Sequence, residues 1–199
     1  MKYRIGIVSL GCAKNLVDTE IMLGLLNNNG YIITNDPSEA HILIVNTCGF
    51  IESAKQESIE NILDLATYKQ TGVCKLLIVT GCLAERYRDQ IIEEMPEVDG
   101  VVGTGNYHEI AEIINQVFSS GKVMKYGNQD YTPDEGLPRI QSTPFYTAYL
   151  KIADGCDNHC TYCIIPKLRG KYRSRKIENI VDEARQLAQR GVKELILIA

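Results

Sequence analysis

Seven cysteines in 199 residues hold most of the chemistry this sequence offers. Three of them crowd one segment, Cys156-Asp-Asn-His-Cys160-Thr-Tyr-Cys163, a C-x3-C-x2-C spacing. Three thiolates from one short loop can cap three irons of a cubane cluster and leave the fourth iron without a protein ligand. An open coordination position is where a bound metal does chemistry instead of only passing electrons. A zinc site is the competing reading, but zinc normally takes four protein ligands from paired C-x2-4-C arms. His159 could complete such a set only by bending back within its own loop.

Cys12, Cys48 and Cys82 are too far apart for a local motif, yet each has a glycine neighbour: Gly11-Cys12, Cys48-Gly49, Gly81-Cys82. Each also falls just after a predicted strand. In a parallel sheet all carboxyl ends share one edge, and ligands bind in the crevice there. Three cysteines in three such loops can converge on one metal group, and the glycines let the backbone approach it closely. The competing reading for each thiol alone is a small buried hydrophobe. Cys74 precedes a predicted strand, at the opposite sheet end, and is read as a core or surface cysteine without a cofactor.

The elements that must position these thiols are legible as alternating short and long apolar patterns. Arg4–Ser9, Ile42–Asn46, Lys75–Thr80 and Gly100–Gly103 are short, β-branched and closed by Gly, Asn or a polar residue, as strands are. Asn15–Asn28, Ile51–Tyr68, Ala84–Met95 and Tyr107–Phe118 carry apolar residues at helical spacing. Such alternation predicts an α/β fold, a parallel sheet with helices on both faces, over residues 1–120. Residues 121–146 read as a linker rich in Gly, Pro, Asp and Ser, with one strand at Lys122–Tyr126. From 147 a second unit begins: strand Thr147–Ala153, the cysteine loop, helix Ile177–Arg190 and strand Glu194–Ile198. A parallel strand with nothing beyond it would expose apolar surface, so 147–199 is expected to be the start of a larger (βα) domain.

With 45% hydrophobic and 23% charged residues, the composition is that of a globular protein with a proper core. The net charge of −4 conceals a split. Residues 1–145 hold 11 Lys/Arg against 19 Asp/Glu, or −8, and residues 146–199 hold 10 against 6, or +4. The opening apolar run, Ile5 to Leu10, is interrupted by Gly6 and Ser9 and is too short for a signal peptide. No stretch approaches the roughly eighteen apolar residues of a membrane span. The expectation is a cytoplasmic protein with no membrane partner, where unpaired thiols serve metal or catalysis. Lys167 to Lys176 holds six cations in ten residues, either a solvated loop or a site for an anion. His41, His108 and His159 form no set, and Gly103-Thr104-Gly105 lacks the third glycine of a dinucleotide loop.

The segment CDNHCTYC, followed by Ile164-Ile165-Pro166 and Arg169-Gly170, resembles the signature of the radical S-adenosylmethionine (SAM) methylthiotransferases. The three spaced cysteines resemble the amino-terminal domain of the same family. The opening Ser9-Leu10-Gly11-Cys12-Ala13-Lys14-Asn15-Leu16-Val17-Asp18-Thr19-Glu20 is similar to the RimO branch, which modifies a ribosomal protein, although members commonly have Pro where Ala13 stands. The resemblance covers essentially the whole chain. It implies that Cys156, Cys160 and Cys163 hold the SAM-cleaving [4Fe–4S] cluster, and that Cys12, Cys48 and Cys82 hold an auxiliary one. Tyr162 and Arg169 would then lie at SAM, and the basic run could meet its carboxylate or an RNA phosphate. The implied reaction joins a methylthio group to the β-carbon of an aspartate in a small-subunit ribosomal protein; the alternative is a tRNA adenosine. The sulfur source and electron donor stay open, and 199 residues with an incomplete barrel are expected to be inactive alone. An electron carrier would ligate each cubane with four Cys, and a structural zinc protein would need a fourth ligand per site.

Overall fold

The computed structural model describes residues 2–127, 129–131 and 136–199. In chain order the elements are β1 (Arg4–Ser9), α1 (Ala13–Asn28), β2 (Ile32–Ile33), β3 (Ile42–Thr47), α2 (Glu52–Ala66), α3 (Tyr68–Thr71), β4 (Leu76–Gly81), α4 (Cys82–Tyr87), α5 (Asp89–Glu94), β5 (Gly100–Val102), α6 (Ile110–Ser120) and β6 (Val123–Lys125). Then follow β7 (Thr147–Lys151), β8 (Ala153–Asp154), α7 (Ile165–Arg169), β9 (Arg173–Ser174), α8 (Ile177–Gln189) and β10 (Glu194–Ile198).

Strands β1 to β6 form one parallel sheet in the order β2-β1-β3-β4-β5-β6. The central strands β3 and β4 are buried at every residue, which is why their sequences, ILIVNT and LLIVTG, run apolar without alternation. Their side chains still divide between two faces. Ile42, Ile44 and Ile78 pack with Val17 and Ile21 of α1 and with Ile110, Ile113 and Ile114 of α6. Leu43, Val45, Leu77 and Val79 pack on the other face with Ile62 and Leu65 of α2 and with Leu83 and Ile91. Each fully buried Leu, Ile or Val contributes about 1.5–3 kcal/mol, so this double-faced core fixes the sheet edge on which the cysteine loops sit. The α/β architecture is therefore the one the periodicity predicts.

The second unit is smaller. β7 and β10 pair in parallel, α8 crosses between them, and Ala148, Leu187 and Val192 form their core. Together they form one βαβ unit. β8 and β9 pair antiparallel and bracket the Cys156–Cys163 loop. Ile196 and Leu197 of β10 remain exposed.

Three elements depart from expectation. The strand at 123–125, placed in the linker, pairs with β5 as the sixth strand of the first sheet, so that sheet extends past residue 120. Positions 128 and 132–135 of the same linker lie outside the described residues. The helix expected over Ala84–Met95 is two helices, broken at Arg88, whose φ is +44°. Its side chain holds the break, donating to the Glu85 carbonyl at 3.1 Å and its carboxylate at 2.9 Å and lying over the Tyr126 ring. The strand expected over Thr147–Ala153 is interrupted at Ile152, where the chain leaves β10 and turns to β9.

Candidate metal centres

β1, β3 and β4 lie side by side and parallel, so their carboxyl ends share one edge. From that edge the chain departs three times through a cysteine: Cys12 caps α1, Cys48 follows β3, and Cys82 opens α4. Connections leave β1 and β3 toward opposite sides of the sheet, which makes the gap between them the natural ligand crevice.

The glycines bring the three loops into contact. Gly11 has φ +86°, and a Cβ placed on it would sit 2.6 Å from the Cys48 Cβ and 3.0 Å from its Sγ. A Cβ on Gly49 would lie 3.0 Å from the carbonyl oxygen of Cys82 and the backbone of Leu83. First loop thus touches second, and second touches third, at distances only glycine permits.

Asn15, fully buried on the first turns of α1, ties the same loops together. Its amide donates to the carbonyls of Leu10 and Thr47, both at 2.9 Å, and its Oδ1 stands 4.0 Å from the Cys82 Sγ. Asn46 returns the bond, donating to the Asn15 carbonyl at 2.8 Å and to the Thr19 hydroxyl at 2.9 Å. Cys12 is exposed, Cys48 half-buried and Cys82 buried. Burial pushes the Cys82 thiol up, and Arg169 draws it back toward the thiolate. Cys12 and Cys48 are close enough to raise it further, so all three thiols share one electrostatic neighbourhood.

This set suits a cubane. Its donors are three soft thiols, all unbridged, around a backbone cradle with no room for a Cβ. Among the described residues no three His, Cys, Asp or Glu side chains are drawn in around a single-ion position. Cys74 is buried beneath the opposite end of β4 and away from this edge, its thiol raised by burial.

Cys156, Cys160 and Cys163 lie in a loop of irregular backbone between β8 and α7. The Cys163 amide donates to the Cys160 carbonyl at 3.0 Å, and the Cys156 amide donates to the Gly170 carbonyl at 3.1 Å. Tyr162 is 90% exposed and His159 is exposed beside it. The loop is latched to the first unit through α7. Thr104 donates its hydroxyl to the Leu168 carbonyl at 2.6 Å, and Gln129 bridges Glu85 to the Lys167 carbonyl. The Gly103-Thr104-Gly105 turn therefore receives α7.

Arg169, expected at SAM, lies between the two units. It is buried, and its guanidinium donates to Asp18 at 2.7 Å, to Asp154 at 3.3 Å and to Asn15. A buried cation must be paired, and these partners occupy it. Lys151 completes the cluster with Asp18 at 2.5 Å and Asp154 at 3.5 Å. Burial would raise the Asp154 carboxyl, but Arg169, Lys151 and Lys14 outweigh it and hold it at about 2. Further along α1, Glu20 binds Arg139 at 2.7 Å and accepts from the Ser142 amide at 2.6 Å. Polar residues of α1 thus hold the second unit while the helix start carries Cys12. Half of the basic run is tied down: Arg169, Arg173 and Arg175 are bonded internally, Arg175 to Glu183 at 2.6 Å, while Lys167, Lys171 and Lys176 are exposed. A cavity of about 510 Å³ between α1 and α8, lined by Lys151, Arg175 and Glu183 among others, includes none of the cysteines.

Sequence reasoning missed Asn15, Asp18 and Asn46. The available signal was a run of polar residues, Asn15 and Asp18 to Glu20, inside a helix whose neighbours are apolar.

A doubly covered parallel sheet with three cysteine loops at its edge is joined to a βαβ unit with a cysteine triplet, an arrangement consistent with a radical SAM protein. Residues 4–103 match the group described as Uncharacterized protein family UPF0004, and residues 150–199 match the Radical SAM superfamily. The chain belongs to the UPF0004 family, and it is similar to radical SAM methylthiotransferases of the RimO branch. It is 57% identical over 196 residues to the ribosomal protein uS12 methylthiotransferase RimO of Clostridioides difficile (strain 630), covering 98% of this chain and 44% of that protein. Proteins of the same name from Clostridium perfringens (strain SM101 / Type A) and Pelotomaculum thermopropionicum are 58% and 55% identical, each over 100% of this chain and 44% and 45% of theirs. The chain spans a little under half the length of the curated relatives it matches. No helix among the described residues is long and apolar enough to cross a membrane.

Proposed function

We propose that this chain is the cluster-binding portion of an enzyme that transfers a methylthio group to ribosomal protein uS12, at the β-carbon of an aspartate. The observation that carries the reading is the contact of three cysteine loops at one sheet edge, facing a second unit whose cysteine triplet is latched to the same edge through α7.

Cys12, Cys48 and Cys82 hold one [4Fe–4S] cluster, and Cys156, Cys160 and Cys163 hold another, each with one iron left for a non-protein ligand. When bound, these groups and SAM supply the sulfur and radical chemistry, and the protein supplies position and a dry site. Asn15 and Asn46 fix the three loops in register. α7 fixes the triplet loop against them. Tyr162, beside the last cysteine, is free to close over SAM, while Arg169 works from behind the site. Two names of one kind among relatives more than half identical support the ribosomal protein over a tRNA adenosine as substrate.

The full-length enzyme, given uS12, SAM and a reductant, should yield methylthio-aspartate by mass spectrometry, and Cys12→Ala or Cys160→Ala should remove it. Unmodified uS12 together with methylthio-adenosine in tRNA digests would refute the substrate. Normal turnover by Cys12→Ala would refute the site.

A further inference from the structure

Arg169 belongs to the second unit, six residues beyond Cys163, yet its guanidinium reaches into the first. It contacts Asn15 and Asp18 of α1, and the Asn15 Oδ1 that accepts from it stands 4.0 Å from the Cys82 Sγ. A guanidinium keeps its charge in any protein setting, so the three-cysteine edge carries a fixed cation delivered by the neighbouring unit.

If Arg169 were only a tie between units, apolar packing would serve as well, since buried ion pairs seldom stabilise more than well-packed hydrophobes. Its place one side chain away from a ligand sulfur is better explained by what a fixed cation does to the metal group that sulfur holds. It stabilises the more negative, reduced state of that group, and so raises the reduction potential. Asp18 accepts from the same guanidinium at 2.7 Å and moderates that charge.

We propose that Arg169 is a positioning residue that sets the reduction potential of the cluster held by Cys12, Cys48 and Cys82, and that Asp18 opposes it. The inference rests on the assignment of those three cysteines made above.

The test uses the full-length protein with Cys156, Cys160 and Cys163 changed to Ala, loaded with iron and sulfide without oxygen, so that one cluster remains. Its midpoint potential is read by EPR during stepwise reduction, with circular dichroism checking the fold. Arg169→Gln should lower the midpoint, Arg169→Lys should hold it near the parent value, and Asp18→Asn should raise it. Midpoints that coincide in all four proteins, or Lys and Gln variants that shift alike, overturn the inference while leaving the cluster assignment intact. Should Arg169→Gln retain no iron, Asp18→Asn decides alone: no upward shift overturns it. A parent protein that holds no iron would overturn the cysteine assignment, and the inference with it.

Discussion

Replacing Gly11 by Ala places one methyl group where the first and second cysteine loops meet. Two costs follow. The left-handed backbone at φ +86° costs about 1 kcal/mol or somewhat more for a residue with a Cβ. The new carbon would also stand 2.6 Å from the Cys48 Cβ, against about 3.5–4.0 Å for carbons at rest. Cys48 must therefore retreat by roughly 1 Å, and forced overpacking of this kind costs about 1–3 kcal/mol. Gly30 offers an internal control: its φ is +84°, but nothing lies within 4 Å of an added Cβ. Gly30→Ala should lose only the backbone component, about 1 kcal/mol, or roughly 2–4 °C in Tm at this chain length. Gly11→Ala should lose about 2–4 kcal/mol and also displace a cluster ligand, so its iron content should fall by about half. Thermal unfolding by circular dichroism, with iron counted after anaerobic reconstitution, measures both. Equal Tm losses in the two variants with full iron in each would refute the close approach of the loops.

Lys151→Met should cost about 3–5 kcal/mol, because it removes one of the two cations bonded to the buried Asp18 carboxylate and weakens the pairing of Asp154; a loss below about 1 kcal/mol in urea unfolding would mean the pair behaves as an exposed one. Asp154 gives the cluster-free chain a pH dependence. Its carboxyl is held at about 2, below the ordinary 3.8, so its stabilising effect of about 2 kcal/mol is complete above pH 4 and is lost as pH falls from about 4 to about 2. Asp154→Asn should flatten that segment of the stability curve, and an unchanged acid limb would contradict the network. Asn15→Ala should lower thermal stability by about 2–3 kcal/mol through the unpaired Leu10 and Thr47 carbonyls, and should loosen all three cysteine loops, read as lower iron retention under chelator challenge.

The six-stranded fold was legible where strands were long and fully buried. Residues 42–47 and 76–81 leave no other way to hide six consecutive apolar or small residues. β2 was not legible, being two half-exposed residues whose pairing with β1 is fixed by tertiary contact. α7 was hidden for a similar reason: five residues with Pro166 and two cations carry no periodicity, and the helix forms against α4 through Thr104 and Gln129. The placement of three cysteines after three strands followed directly from the strand pattern. The role of Arg169 could not. Its partner Asp18 is 151 positions away, and a cation in a basic run reads the same whether it is solvated or buried. Asn15 was invisible because its importance lies in which carbonyls the fold brings to it.

The central claim, two independent three-cysteine clusters, is tested most directly by counting iron in the reconstituted chain and in two triple variants. One changes Cys12, Cys48 and Cys82 to Ala, and the other changes Cys156, Cys160 and Cys163; Cys74→Ala serves as a control. The predicted result is about eight irons in the parent and in Cys74→Ala, and about four in each triple variant. About four irons in the parent, unaffected by loss of Cys12, Cys48 and Cys82, or tightly held zinc in place of iron, would contradict it.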